Sequence, residues 1–184
     1  VDLYLIRHPA VAVSPHTCYG ATDLPLAGPL APDVAHLAPL LPADASLFSS
    51  PLSRARLLAD ALGEPELDPR LREIDFGDWE MQPFDAIGRD ALDRWASDPL
   101  GHRPPGGESA AEMAARAHDF LDDLRRRQLP GPIVIVAHGG PLRAITGHLL
   151  GLPPDRWLAL DFAHARLSQL TLSPWGATLR RFNL

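Results

Sequence analysis

The stretch Ile133-Val134-Ile135-Val136-Ala137 constrains this chain more than any other. Four consecutive β-branched side chains favour a strand. The absence of polar alternation puts that strand under cover on both faces, as in a parallel sheet packed between helices. Three further runs read as strands, Leu3 to Ile6, Ser46 to Phe48 and Leu167 to Leu172, with Ala177 to Phe182 as an edge partner.

Helical patterns lie between these strands. In residues 49–63, Ser50 can cap, Pro51 suits the first helical position, Leu52, Ala55, Ala59 and Leu62 share a face, and Gly63 ends the run. In residues 106–127, Ser109 and Glu112 have capping-box spacing, Met113, Ala117, Phe120, Leu121 and Leu124 form one stripe, and three arginines close the helix. Residues 139–151 repeat the scheme, with Pro141 near the start and Gly151 at the stop. Strand and helix alternate, which predicts an α/β fold with a largely parallel, helix-covered sheet.

At 184 residues the chain suits one domain, 1–184, with a sizeable core. Residues 76–107, rich in Trp, Asp, Gly and Pro, are helical in pattern only around 85–96, and read as an excursion over one end of the sheet. The prolines and glycines are spread between periodic segments and punctuate a fold. No apolar run approaches the ~20 residues that span a membrane. Arg7 and His8 interrupt the one amino-terminal stretch that resembles a leader, so a cytoplasmic location is expected. The single cysteine, Cys18, has no disulfide partner and no zinc-ligand neighbour, and reads as a small loop or core residue.

Seventeen basic against twenty-three acidic side chains, a formal net charge of −6, argues against a general nucleic-acid binder. A focused cluster of Arg and His can still attract a small anion. Ligands of open α/β sheets bind beyond the carboxyl ends of the strands. Two strands here run into histidine, through Arg7 to His8 and directly at His138, and a third leads to a helix whose first turn carries Arg54. His138 is followed by Gly139 and Gly140 at a helix start. These strand ends deliver Arg7, His8, Arg54 and His138 to one sheet edge beside helix amino termini, which makes a phosphate site.

The chemistry follows from those residue types. A phosphoryl group needs fixed donors and cations while bonds change at phosphorus, and two guanidiniums supply forked hydrogen bonds. An unprotonated histidine can attack phosphorus in line and form a phosphohistidine that water later cleaves. Glu73 in Leu71-Arg72-Glu73-Ile74-Asp75-Phe76-Gly77-Asp78-Trp79-Glu80 is placed to protonate the leaving alkoxide, with Asp75, Asp78 and Glu80 as neighbours able to compete for the role. No metal ion or other cofactor is required. His16, His36, His102, His118, His148 and His164 lack ligand spacing and read as structural or exposed, and Trp79, Phe84 and Trp95 as packing.

Six motifs in order, residues 5–11, 18–26, 49–62, 71–80, 104–109 and 136–145, resemble the histidine phosphatase superfamily with its phosphoglycerate mutase-like fold. The resemblance implies a three-layer α/β/α sandwich around a mostly parallel sheet. It implies His8 as the phosphorylated nucleophile, Arg7, Arg54 and His138 with Gly139 as the phosphate pocket, and Glu73 as proton donor. The expected activity is a phosphoric monoester hydrolase on a small phosphorylated metabolite, without nucleic acid or membrane. Within the superfamily, residues 18–26 and 74–80 are most similar to the branch that acts on α-ribazole 5′-phosphate in cobalamin biosynthesis. A phosphatase or mutase for another metabolite, and a non-catalytic phospholigand binder, are the rival readings. Four positions depart from the family pattern: Pro9 replaces the glycine after the nucleophile, Ala10-Val11 the usual acid-threonine pair, and Met81 a glycine. Proline at 9 removes a backbone donor beside the expected nucleophile.

Overall fold

A computed structural model describes residues 1–184. Its strands are β1 (Asp2–Arg7), β2 (Ser46–Ser49), β3 (Glu66–Leu67), β4 (Ile133–Ala137), β5 (Leu167–Ser173) and β6 (Gly176–Arg181). Its helices are α1 (Ala31–Leu37), α2 (Ser53–Leu62), α3 (Phe84–Ile87), α4 (Arg89–Ser97), α5 (Ala110–Arg127) and α6 (Gly139–Leu149). One sheet has the order β3-β2-β4-β1-β5-β6, parallel from β3 through β1 and antiparallel from β1 to β6.

The central position of β4 explains its composition. Every residue of the strand is buried. Ile133, Ile135 and Ala137 join Leu3, Leu5 and Phe48 in a cluster covered by Phe120, Leu121 and Leu124 of α5 and by Leu142 and Ile145 of α6. Val134 and Val136 turn the other way, joining Ile6 in a second cluster with Leu37 of α1 and Ala55, Leu58 and Ala59 of α2. The twofold alternation of strand side chains thus feeds two helical layers. That makes the expected three-layer sandwich.

The capping box at α5 forms as its spacing predicts: Ser109 Oγ accepts from the Glu112 amide at 3.2 Å, and Glu112 accepts from the Ser109 amide at 2.8 Å. The start of α2 differs from expectation. The helix begins at Ser53, and its preceding residue, Leu52, is extended and provides no side-chain cap. The cap comes from elsewhere in the chain. Asp23 accepts from the Ser53 amide at 2.9 Å and from its hydroxyl at 2.7 Å. Ser50 is thereby left outside the helix and buried at the end of β2.

Two elements escape sequence reasoning. Helix α1 is only seven residues long and lies among prolines, and β3 is a two-residue strand whose existence depends on pairing with Phe48 and Ser49. The excursion at 76–107 contains α3 and α4, both without fully buried side chains. It is tied back where the Asp78 amide donates to the Pro105 carbonyl and the Glu108 amide to that of Asp75. Gly77 holds a left-handed φ of 55°, and any Cβ there would lie 2.2 Å from the Pro105 carbonyl oxygen, so a glycine is required.

Candidate active site

The parallel strands β1, β2 and β4 all end at the same sheet edge, where the structure brings Arg7, His8, Ser50, Arg54 and His138 together. His8, Arg54 and His138 are almost completely buried. The His8 amide donates to the carbonyl of Ala137, continuing the β1–β4 ladder by one residue and fixing the backbone of His8.

The His8 ring is held by Pro9. Its Nδ1 lies 2.6 Å from the Pro9 carbonyl oxygen. A carbonyl can only accept, so Nδ1 carries the proton and Nε2 keeps its lone pair. Burial, then the proximity of Arg54, His164 and Arg7, pushes the His8 pKa down to about 2 against the Pro9 hydrogen bond, which favours the protonated ring. The ring is therefore neutral at physiological pH. Proline at 9, which removes an amide donor, retains the carbonyl that selects this tautomer.

Around His8 the positive groups are anchored by backbone carbonyls rather than carboxylates. Arg7 Nη1 donates to Phe162 O at 2.7 Å. Arg54 spans the loop between β1 and α1, donating to Thr22 O at 2.7 Å and to Gly20 O. Neither guanidinium is neutralised by an ion pair, and Nε of each is buried without a partner. His138 packs 5.0 Å from His8 by ring centroids, and its Nε2 is 2.7 Å from Ser50 Oγ. Ser50 is buried and His138 Nε2 is the one acceptor within reach of its hydroxyl proton, so the hydroxyl donates to Nε2, which leaves Nδ1 as the protonated nitrogen of the neutral ring. That Nδ1 is buried and unpartnered too. Buried donors without acceptors are costly, and three of them around one histidine mark a place for an anion.

Glu73 meets this cluster at the start of α6, two residues beyond His138. Both of its oxygens lie 3.2 Å from the Gly140 amide in the first turn of α6, and Oε1 also accepts from the Ile74 amide at 3.0 Å. Gly139, the preceding residue, has the guanidiniums of Arg143 and Arg7 on its bare side. Adjacent residues at the start of α6 thus touch Glu73 and the two guanidiniums. The competing acids are occupied: Glu80 accepts from the amides of Gly20, Ala21, Thr22 and Phe76 and from the Thr22 hydroxyl. Burial opposes ionisation of Glu80, but these five donors outweigh it and hold the pKa below the usual carboxylate range. Asp75 caps the Gly77 amide, and Asp78 is exposed. Glu73 also lines a cleft of about 240 Å³ whose other charged side chains are Arg72, Asp75, Glu108 and Arg116.

Two residues at this site escape sequence reasoning. His164 reads from its spacing as structural or exposed, yet its ring lies 5.0 Å from that of His8, and its Nδ1 is 3.0 Å from the His8 carbonyl oxygen. Arg143 has Nε on Leu160 O at 2.9 Å and Nη2 at 3.5 Å from Asp161. Both depend on the chain returning through residues 160–165, where the Ala165 amide also donates to Arg7 O. No local pattern marks a contact across 156 residues of sequence. Of the aromatic residues expected to pack, Phe84 is instead exposed and Trp95 half-buried, because α3 and α4 lie on the surface, whereas Trp79 and Cys18 are buried. Trp79 is buried and stacks on His102, and burial followed by the charge of Glu80 raises the Cys18 thiol to about 12.

Comparison with known proteins agrees with this geometry. The computed model superposes on the crystal structure of the α-ribazole phosphatase from Shigella flexneri with a TM-score of 0.90 and 27% identity, covering 100% of this chain and 96% of that one. It superposes on a mycobacterial glucosyl-3-phosphoglycerate phosphatase in complex with VO3 with a TM-score of 0.84 and 29% identity, covering 99% and 98%. The glucosyl-3-phosphoglycerate phosphatase of Mycolicibacterium vanbaalenii is 38% identical over 120 residues, 59% of this chain and 53% of that protein. The match therefore spans about half the length of this curated relative. The family model for branch 1 of the histidine phosphatase superfamily matches residues 3–184, all of the sheet but Asp2 and every residue of the pocket. This chain belongs to the histidine phosphatase superfamily, branch 1.

Proposed function

We propose that the chain is a phosphomonoesterase that works through a phosphohistidine at His8 and needs no metal ion. The observation that carries this reading is the buried, neutral His8 ring, with its Nδ1 proton committed to Pro9 O, among three unpartnered donors on Arg7, Arg54 and His138. Nε2 attacks phosphorus in line, the P–N bond forms as the ester P–O bond breaks, and the departing oxygen takes a proton from Glu73. Arg7, Arg54 and the Nδ1 proton of His138 hold the charge on the phosphoryl oxygens, a task a divalent cation performs elsewhere. Glu73, now a carboxylate, takes a proton from water. That water attacks phosphorus, the P–N bond breaks, and inorganic phosphate leaves with His8 restored.

For the substrate, α-ribazole 5′-phosphate is the first choice. It is supported by the likeness of residues 18–26 and 74–80 and by the full-length superposition on the Shigella flexneri enzyme. A phosphorylated sugar acid is the second. The identity to glucosyl-3-phosphoglycerate phosphatase supports it, as does the polar cleft with Arg72 beside Glu73, which suits a hydrophilic leaving group better than a flat apolar base.

The test is hydrolysis in EDTA of α-ribazole 5′-phosphate, glucosyl-3-phosphoglycerate and a nucleoside monophosphate by the wild type and His8→Ala, with acid-labile phosphate trapped on the protein by rapid quench. Rapid, His8-dependent turnover of one ester over the others identifies the substrate class. Turnover that survives His8→Ala, or no trapped phosphohistidine during turnover, would overturn the mechanism. Binding of the esters without turnover would make the chain a phospholigand-binding protein.

A further inference from the structure

The return segment 160–165 brings to the nucleophile a group that none of the six sequence motifs contains. His164 is tied through Nδ1 to the carbonyl of His8, which makes Nδ1 the protonated nitrogen of a neutral ring and leaves Nε2 with the lone pair. Nε2 makes no hydrogen bond within the chain. The two rings are 5.0 Å apart and tilted by 55°, and His138 stands at the same distance and tilt from His8. His8 therefore lies between two imidazoles. One is deeply buried with a proton already available, and the other is half-buried with an open nitrogen.

We infer that His164 is a fifth member of the phosphoryl pocket, binding a phosphoryl oxygen through Nε2 as an imidazolium that gains its proton when the dianion arrives. The charged and titratable groups facing it are Arg7 and His8 at the end of β1, Arg54 on α2, and Asp161 on its own segment, with His138 on the far side of His8. Positive groups predominate, so the ring stays neutral in the empty pocket. Burial first, and Arg7 next, hold its pKa below the ordinary histidine value. A bound dianion reverses the sign of the nearest charge and removes that opposition. Binding then takes up one proton, and anion affinity increases by up to about tenfold for each unit of falling pH until the empty-pocket ring itself protonates. The site also gains a charge-assisted donor beside a proline that cannot supply an amide.

This inference rests on the phosphatase reading for its biological meaning but is tested without turnover. Sulfate keeps a fixed double charge across the histidine range and isolates protein titration from ligand titration. Its dissociation constant is measured by isothermal titration calorimetry from pH 5.5 to 7.5 for the wild type, His164→Asn and His164→Gln. The Asn amide can replace Nδ1 on His8 O while removing Nε2, and Gln presents a non-titrating donor near the Nε2 position. The wild type should bind more tightly as pH falls. His164→Asn should keep wild-type thermal stability, bind about tenfold more weakly at pH 5.5, and lose the pH dependence. Should Asn unfold the chain, a pH-independent dissociation constant in His164→Gln carries the same expectation. Wild-type pH dependence in either folded variant would overturn the proposal, as would an Asn defect of equal size at every pH, the mark of a structural role. If the wild type binds sulfate through His164 yet hydrolyses no ester, the phosphatase reading falls and this one stands.

Discussion

Gly140→Ala tests Glu73 as the proposed proton donor apart from the rest of the pocket. Gly140 is in the first turn of α6, and an alanine Cβ there would stand 2.2 Å from Glu73 Oε1, a separation that real contacts widen to at least 3.0 Å. The carboxylate must retreat by about 0.8 Å or more and gives up its good geometry on the Gly140 amide. The atom that moves is the far end of a flexible side chain, and alanine is favoured over glycine in a helix by about 1 kcal/mol, so the fold should tolerate the change. Catalysis should not. Displacing a reacting group by about 1 Å costs on the order of 100-fold, within the 10²–10⁴ that general acid catalysis supplies. The assay is the pre-steady-state rate of the first chemical step on two esters. An alkyl phosphate, whose alkoxide must be protonated, should slow by about 100-fold. An activated aryl phosphate, whose phenolate leaves without a proton, should release its burst of phenolate at close to the wild-type rate. Equal slowing of both bursts would refute the assignment of Glu73 as the acid, and so would an unchanged rate on the alkyl ester.

Acid should destabilise the fold through its buried histidines. The His8 pKa, lowered to about 2 in the folded chain, means the stability it contributes is complete above about pH 6.5 and is lost progressively as pH falls toward 2. His138, also held neutral by burial and by His8, acts in the same direction. His8 contributes a slope of about 1.4 kcal/mol per pH unit in that window, and urea unfolding of His8→Asn should show a shallower loss between pH 6.5 and 4.5. An identical slope in the variant would count against a neutral His8. Glu80→Gln places an amide group among five donors, and urea unfolding should show a loss of about 2–4 kcal/mol. Because this loop supplies the Arg54 acceptors Gly20 O and Thr22 O, the variant should also bind phosphate more weakly while keeping the wild-type ratio of aryl to alkyl rates. A changed ratio would give Glu80 a share in proton transfer. The Glu80 contribution is present at neutral pH and lost as pH falls through its lowered pKa, so the wild-type advantage over Glu80→Gln should disappear in acid.

Much of this architecture is legible in the chain itself, because the relevant signals are local. Alternating strand and helix patterns around Ile133–Ala137 demand a covered parallel sheet, and a parallel sheet delivers its strand ends to one edge. Arg7, His8 and His138 follow from that alone, since each immediately follows or ends a recognisable strand. The capping box of α5 is equally local. What depends on contacts between distant segments is not legible. Asp23, not Ser50, caps α2. Glu73 is distinguished from Glu80 by which backbone amides surround each carboxylate, a difference invisible among four acids within eight residues. The tautomer of His8 is set by the orientation of the Pro9 carbonyl, a feature the residue's identity does not announce. His164 reaches His8 only because β5 pairs antiparallel to β1 and brings the preceding segment back over the strand end. The sequence by itself determined the layers, the sheet edge and the positive groups at it, because hydrophobic periodicity and strand polarity act over a few residues. Tertiary structure alone decided which nitrogen is free to react, which carboxylate is available and which third histidine attends, because proton positions and charge states answer to neighbours within a few ångströms from anywhere in the chain.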